Sequence, residues 1–209
     1  FYIMERLIGI IPRSRMPRGL QLTRVQVQSL CRSMVDRLVD LHQVDFSAAG
    51  LDQLDRGTGY ARRQIEGWNQ RFQRARTWNV RGADYVMDWL QERIPEDSGH
   101  CLVHNDWRFD NLVLSPDQPT QIIGVLDWEL ATIGDPLMDL GNALAYWVQA
   151  DDGKLMKATR RQPTHLDGMF TRQEVVDYYL DRRGLKTDHW EFYEIYGLFR
   201  LAVIAQQIY

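Results

Sequence analysis

A polar segment between short apolar runs, His104 to Asn111, is the feature that most constrains how this chain can fold. The preceding run Cys101–Val103 predicts a short buried strand, and the polar segment itself predicts a loop. Two further apolar runs follow, separated by six turn-forming residues, and they predict a β-hairpin. These runs are Leu112–Leu114 and Ile122–Leu126. Because a hairpin returns the chain to its starting point, Asp127 should lie beside Asn111, although the two are sixteen positions apart.

The polar side chains at these strand ends suit the transfer of a phosphoryl group. That reaction needs little covalent help from a protein, but its charge must be neutralised and its reactants held in line. We predict that Asp106 accepts the proton of an attacking hydroxyl, while Asn111 and Asp127 supply oxygen ligands for Mg²⁺ on nucleotide phosphates. Arg108 lies two positions after the predicted base, where a fixed cation could meet the transferring phosphate.

Two other residues of the segment have supporting roles in this interpretation. His104 is expected to position the reacting groups without touching the substrate, and Glu129 is a third candidate oxygen ligand for the metal. Simpler interpretations exist, since a loop Asp beside an apolar strand is often a turn former or a helix cap. A two-metal phosphatase could use similar residues, but it would usually need further carboxylates or histidines nearby. Asp110, the one additional carboxylate in the loop, is expected to be structural or solvent-facing.

The spacing of these residues resembles that of the aminoglycoside phosphotransferase and choline kinase superfamily, which has a kinase-like fold. The catalytic loop of that superfamily follows the pattern His-x-Asp-x-x-x-x-Asn, which residues 104–111 match, and its metal-binding Asp opens a later segment, as Asp127 does. Within the superfamily, the chain is most similar to the phosphotransferase domains associated with acyl-CoA dehydrogenases. The segments that carry this closer resemblance are Asp127–Leu130, Gly134–Leu140 and Phe199–Gln206. Asn105 departs from the pattern of the aminoglycoside enzymes, in which Gly is commoner at this position.

The resemblance implies that ATP and Mg²⁺ are the cofactors and that the start of the chain binds adenine. Residues 1–9 would be the hinge strand from an N-terminal lobe, and residues 10–209 would form the C-terminal catalytic lobe. Met4 would border the adenine pocket, while the Glu5 carbonyl and the Leu7 amide would hydrogen-bond to the base. The Gly-rich phosphate loop, its Lys and the Glu that positions that Lys are expected to precede residue 1.

The resemblance also gives Asp139 a role, as a carboxylate that braces the catalytic loop from beneath. The sequence places this residue one turn inside a helix, because Asp135 is a good N-cap and Pro136 suits the first helical position. From the residue pattern alone, a solvent-facing Asp on that helix is the alternative.

Helical patterns dominate the rest of the chain, so we predict an α+β fold: a mainly helical C-terminal lobe with small β-hairpins. The first helix should follow Thr23, since apolar residues recur there at steps of four, four and three. These residues are Leu30, Met34, Leu38 and Leu41. Further helices are predicted over about 60–76 and 83–94, and from Asp135, Thr171 and Trp190. The stretch 149–170 is the least regular, and its basic residues make it a candidate lid or substrate loop.

Composition excludes several classes of function. The formal net charge is −3, whereas nucleic-acid binding generally needs a basic excess. No apolar run approaches the roughly 18 residues of a membrane span, so no membrane association is expected. The two cysteines do not suggest a disulfide framework or a metal cluster, and a cytoplasmic location is the natural expectation.

The phosphate acceptor is expected to be a small molecule with a hydroxyl group. Only seven residues separate Asp127 from the helix start at Asp135, so the peptide-binding platform of a protein kinase is missing. The resemblance implies a hydroxyacyl-CoA or another hydroxy acid, and a link to acyl-CoA metabolism. An aminoglycoside or a choline-type amino alcohol is the alternative acceptor, and an idle pseudokinase that only binds nucleotide or a partner is the alternative class. Arg200 could meet an acceptor carboxylate, although the favoured interpretation is an Arg that snorkels from its apolar helix or pairs with a core carboxylate.

Overall fold

The computed structural model describes residues 6–80 and 82–209, so Met4 and Glu5 of the predicted hinge lie outside the described residues. The chain divides into two compact units. The hairpin unit contains the described residues up to Asp40, together with Trp107–Glu129 and Tyr146–Leu185. The brace unit contains Leu41–Asp106, Leu130–Ala145 and Lys186–Tyr209. The predicted division at residue 10 stays a prediction.

Helices and two small antiparallel strand pairs account for the regular structure, which confirms the α+β class. The helices are α1 (Arg24–His42), α2 (Tyr60–Ala75), α3 (Ala83–Glu92), α4 (Pro136–Ala145), α5 (Lys154–Ala158), α6 (Arg172–Arg183) and α7 (Trp190–Ile208). The strands are β1 (Cys101–Val103), β2 (Leu112–Leu114), β3 (Ile122–Val125) and β4 (Thr132–Gly134). Short 3₁₀ turns cover Asp52–Leu54, Phe109–Asn111 and Trp128–Leu130.

The hairpin unit is built on the predicted hairpin. Strands β2 and β3 pair with Leu112 opposite Val125, and a bulge interrupts the register after Val113. Ile10 adds a bridge to the same sheet, donating to the Leu114 carbonyl at 2.9 Å and accepting from the Leu114 amide at 2.7 Å. The α1 stripe is buried as predicted, from Leu30 at 0% exposure to Leu41 at 7%.

Helix α6 in the same unit begins and ends as its sequence predicts. Thr171 and Glu174 form a capping box, and Gly184 ends the helix in the left-handed conformation. The loop 149–170 is more ordered than its composition indicates. It contains α5, and the Thr164 hydroxyl hydrogen-bonds to both the amide and the carbonyl of Val148, at 3.1 and 2.8 Å.

The brace unit packs α4 against α7. Gly141 and Gly197 face each other there, and a Cβ on Gly197 would come within 2.7 Å of the Gly141 carbonyl carbon. The first strand pair, β1 with β4, sets Val103 opposite Thr132 and so delivers the chain to His104. Helix α3 ends two residues earlier than the pattern predicts, because Pro95 disfavours helical backbone in the residue before it.

Candidate active site

The catalytic-loop segment contains one of two unusual backbone conformations. Among the described residues, only two that are not glycine have positive φ, Asn105 at 64° and Asp127 at 66°. Asn105 lies in the polar segment 104–111 and Asp127 is a predicted metal ligand, and strained backbone of this kind concentrates at functional sites. The left-handed conformation also explains the departure at Asn105, because Gly and Asn are the residues that adopt it most readily.

Asp139 lies in α4 beneath the start of this loop, and its side chain is fully buried. Its carboxylate accepts hydrogen bonds from the His104 amide at 2.8 Å and the Asn105 amide at 2.7 Å. The His42 ring contacts the same carboxylate through Nε2 at 3.1 Å. Burial alone would raise the pKa of Asp139, but the His42 ring and the amide donors outweigh it and lower the pKa. The carboxylate therefore stays ionised and holds the two amides in place.

The Asn105 side chain is bonded on both of its polar atoms. Its Oδ1 accepts from the Tyr60 hydroxyl at 2.9 Å and from the Asn142 amide at 3.2 Å, and its Nδ2 donates to the Leu130 carbonyl at 3.1 Å. These bonds hold a residue whose backbone conformation is unfavourable for most side chains. The direction in which the chain leaves toward Asp106 is therefore fixed by the brace unit.

Arg200 of α7 supports the same residue from another side. It is 6% exposed, and its guanidinium donates to the Asn105 carbonyl at 3.0 Å. The guanidinium also lies over the Trp68 ring, 5.2 Å from the centroid. The sequence did not predict this hydrogen-bond partner, which is a backbone carbonyl and not a carboxylate. The contacts make Arg200 a residue that positions the loop backbone.

Asp106 and His104 are linked within the loop. The Asp106 amide donates to His104 Nδ1 at 3.2 Å, which requires the His104 tautomer that carries no proton on Nδ1. His104 is fully buried, whereas Asp106 is half-buried. His104 thus contacts the loop backbone, and Asp106 keeps part of its surface accessible to a substrate.

The hairpin unit carries the two predicted metal ligands on adjacent strand ends. The Leu126 amide donates to the Asn111 carbonyl at 2.8 Å. Asp127 therefore directly follows the residue that is hydrogen-bonded to Asn111. Asn111 is 8% exposed, and Asp127 is exposed. Glu129 is also exposed, on the 3₁₀ turn that follows.

This donor set fits Mg²⁺, which prefers oxygen ligands. In nucleotide sites Mg²⁺ usually has one or two protein ligands and keeps phosphate oxygens and waters for the rest of its coordination shell. Within residues 6–80 and 82–209, no group of three or more His, Cys, Asp or Glu side chains could hold a metal by itself. An amide and a carboxylate side by side therefore suit a metal shared with a nucleotide better than a closed protein site.

Arg108 is held by two neighbours in the hairpin unit. Its Nε lies 3.3 Å from Asp110 Oδ1, and its guanidinium lies over the Tyr146 ring, 4.7 Å from the centroid. Asp110 thus has the structural role expected from the sequence. Gln162 ties the same region together, accepting from the Phe109 amide at 2.9 Å and donating to the Tyr146 carbonyl at 3.0 Å.

Leu7 is the one residue of the predicted adenine contact set that the structure describes. It is 41% exposed and belongs to no helix or strand. Its side chain approaches Gly124 of β3, so that a Cβ on Gly124 would collide with it. The adenine roles of Met4, Glu5 and Leu7 stay predictions.

The comparison with protein families is decisive for classification. The family model described as the phosphotransferase enzyme family matches residues 1–175, which include every residue of the predicted site. The chain belongs to the phosphotransferase enzyme family.

Members and neighbours of the family resemble the chain over nearly all of its length. It is 32% identical over 213 residues to acyl-CoA dehydrogenase family member 11 of Rattus norvegicus, covering 100% of this chain and 27% of the relative. It is also 32% identical to acyl-CoA dehydrogenase family member 10 of Mus musculus, covering 100% of this chain and 19% of that protein. The chain therefore spans about a quarter or less of the length of these curated relatives.

Solved structures confirm the kinase-like fold of the family. A Ralstonia eutropha protein assigned as an aminoglycoside phosphotransferase superposes with a TM-score of 0.78 at 28% identity, covering 99% of this chain and 61% of that one. The choline kinase LicA of Streptococcus pneumoniae superposes with a TM-score of 0.54 at 15% identity, covering 90% of this chain and 58% of that one. Among the described residues of this phosphotransferase, no helix is long and apolar enough to cross a membrane.

Proposed function

We propose that this chain is the catalytic lobe of an ATP-dependent kinase that transfers the γ-phosphate to a hydroxyl group of a small molecule. One observation carries the proposal. In a chain of the phosphotransferase enzyme family, the buried Asp139 carboxylate holds the amides of His104 and Asn105, directly before the half-buried Asp106. A carboxylate on so firmly fixed a loop is well suited to act as a general base.

Each polar residue has a role in the proposed reaction. Asp106 orients the acceptor hydroxyl and receives its proton. Asn111 and Asp127 bind Mg²⁺, with Glu129 as an additional oxygen donor nearby, and Arg108 stabilises the charge on the transferring group. When bound, Mg²⁺-ATP supplies the phosphoryl group.

Positioning residues complete the proposal. His104 and Asp139 hold the loop, and the segment of Met4, Glu5 and Leu7 binds adenine as part of a hinge over residues 1–9. Residues 10–209 then form the catalytic lobe. A cytoplasmic location belongs to the same proposal and rests on the low cysteine content.

A hydroxyacyl-CoA or a related hydroxy acid is the acceptor we propose. Relatives that match the whole of this chain are named as acyl-CoA dehydrogenase family members. Their names support a link to acyl-CoA metabolism, in which hydroxylated acyl groups occur. The half-buried Arg160 in the loop 149–170 also favours an anionic acceptor over a polycationic aminoglycoside.

The test uses the full-length protein with Mg²⁺-ATP and four acceptor classes: hydroxyacyl-CoAs, hydroxy acids, amino alcohols and aminoglycosides. We expect phosphorylated product with the first or second class. Asp106→Asn should lower kcat by at least about 10²-fold with ATP affinity retained, because the base acts on the acceptor. Asp88→Asn, at an exposed position of α3, is the matched control and should leave kcat unchanged.

Asp127→Asn should abolish Mg²⁺-dependent nucleotide binding, measured by calorimetry with and without the metal. Asn is the right replacement, because it tolerates the positive φ of 66° at this position better than Ala does. Normal turnover by both variants would refute the assigned roles. Nucleotide binding without product from any acceptor would favour the pseudokinase alternative.

A further inference from the structure

The segment formed by α5 and the turn after it is basic. Residues 153–166 contain four basic side chains and no carboxylate, although the whole chain carries a net charge of −3. The basic side chains are Lys154, Lys157, Arg160 and Arg161. The acids that flank the stretch have cationic partners of their own. Asp152 accepts a bidentate pair from Arg172 at 2.7 and 2.8 Å, and Asp167 lies 3.6 Å from Arg24.

Two side chains of this turn have buried nitrogen atoms without a partner among the described residues. These atoms are Arg160 Nε and His165 Nδ1. Both side chains are half-buried, whereas the neighbouring Arg161 is exposed. A buried hydrogen-bonding group without a partner is unfavourable, so each such atom calls for an explanation, and a bound ion or water is one of them.

The same two side chains are also electrostatically coupled. Burial lowers the pKa of His165, and the charge of Arg160 lowers it further. An anion that accepts from both nitrogen atoms would be attracted by the Arg160 charge and would favour the protonated form of the His165 ring. A phosphate or a carboxylate has the acceptor oxygens to satisfy both donors.

Gln162 fixes this turn to the catalytic-loop segment within the hairpin unit. It is fully buried, and it hydrogen-bonds to the Phe109 amide and the Tyr146 carbonyl. Phe109 directly follows Arg108, and the Tyr146 ring carries the Arg108 guanidinium. The turn that bears Arg160 and His165 is therefore anchored to the residue proposed to meet the transferring phosphate.

We propose that Arg160 and His165 form an anion-binding site for a phosphate or carboxylate group of the hydroxyl-bearing acceptor. This inference rests on the proposed function, and it names which chemical class of acceptor that function takes. The exposed Lys154, Lys157 and Arg161 belong to an ordinary solvated surface and are not part of the site.

The kinetic test compares three acceptors that share one hydroxyacyl group, using the full-length protein. A CoA thioester carries phosphates, the free hydroxy acid carries a carboxylate, and an N-acetylcysteamine thioester carries no charge. Arg160→Gln should raise KM for at least one charged acceptor by about tenfold or more, with little change in kcat. It should leave the KM of the neutral acceptor unchanged. A loss confined to the CoA thioester assigns the phosphate as ligand, and one confined to the hydroxy acid assigns the carboxylate.

Arg161→Gln is the matched control, because it removes the same charge from the next residue. Its KM should change less than about twofold, since an exposed charge acts through water and salt. His165→Gln should share the specific loss of Arg160→Gln, and Arg160→Lys should recover part of it. Equal effects of the two Arg variants, or an equal loss with the neutral acceptor, would overturn the proposal.

A second measurement is independent of catalysis. Inorganic phosphate is titrated into the protein while the His165 ring resonances are followed by NMR, with His165→Gln used to assign them. Saturable shifts that Arg160→Gln abolishes and Arg161→Gln preserves are expected. No response to phosphate and none to acetate would refute the anion site even if kinase activity were present. A response without kinase activity would retain the site and refute the proposed function.

Discussion

Replacing Gly197 by alanine should destabilise the brace unit, although replacing glycine by alanine usually stabilises a helix. Gly197 lies in α7, and a Cβ there would be 2.7 Å from the Gly141 carbonyl carbon, whereas ordinary contact begins at 3.4 Å. The Gly141 carbonyl oxygen lies closer still, so the added methyl group must push the two helices apart by at least about 0.7 Å, the difference between 3.4 and 2.7 Å. Neither backbone can rotate out of the way, so the helices must move as whole elements.

The magnitude follows from two opposing effects. Overpacking typically costs 1–3 kcal/mol, and a rigid backbone neighbour places this site near the upper end, at about 3 kcal/mol. Alanine has a helix propensity about 1 kcal/mol better than that of glycine, which leaves a net loss of about 2 kcal/mol. For a chain of this size, Tm should fall by about 4–8 °C.

Gly67→Ala in α2 is the matched control. The nearest atom to its new methyl group is the end of the Arg71 side chain, at 3.3 Å, which can move aside. Only the propensity gain should remain, so Tm should rise by about 2–4 °C. Thermal unfolding followed by circular dichroism measures both variants. A Gly197→Ala protein as stable as Gly67→Ala would show that the close helix contact does not limit packing.

Four further substitutions probe the loop and the Arg172–Asp152 ion pair, each measured by urea unfolding. Asp139→Asn should lower the free energy of unfolding by about 3–5 kcal/mol at pH 7, because buried donors lose a charged acceptor. The pKa of Asp139 is lowered in the folded state, so this difference should persist above the ordinary value of 3.8 and shrink as pH falls through the lowered pKa. Asn105→Ala should be about 1 kcal/mol less stable than Asn105→Gly, since both lose the side-chain hydrogen bonds but only Ala is strained at a φ of 64°. Arg172→Met should cost about 1.5–3 kcal/mol at pH 7 by removing the bidentate partner of Asp152. Hydrogen bonding from Arg172 lowers the pKa of Asp152, so that loss should also diminish at pH values below 3.8, and a loss independent of pH would contradict the assignment.

Local signals in the sequence predicted much of the fold. The capping box of Thr171 and Glu174 marks the start of α6, and the Asp135 carboxylate accepts from the amides of Leu137 and Met138 at the start of α4. The hairpin between Asn111 and Asp127 also followed from the sequence. These features depend on residues a few positions apart, or on two apolar runs joined by a short turn.

Contacts between distant positions could not be predicted in the same way. Asp97 caps α2 by accepting from the Gly59, Tyr60 and Ala61 amides at 2.6 to 2.9 Å, although it lies 36 to 38 positions away. No local capping signal marks the start of that helix, since Gly59 offers no side chain. Gln162 likewise gives no sign in the sequence that it joins Phe109 to Tyr146. A glutamine in a polar loop is ordinary until the fold buries it.

Apart from α5, the sequence by itself determined which segments form helices, where the hairpin lies, and which polar residues stand at the ends of these elements. Caps, turns and periodic apolar positions depend on residues that are close in sequence, so they can be identified without knowledge of the tertiary structure. Only the tertiary structure decided that Asp139 is buried beneath the loop, that Arg200 meets the Asn105 carbonyl, and that the Arg160 and His165 donors face inward. The burial of a side chain and its hydrogen-bond partners depend on which distant elements pack together. That packing also sets the free-energy cost of a buried polar group that has no hydrogen-bond partner.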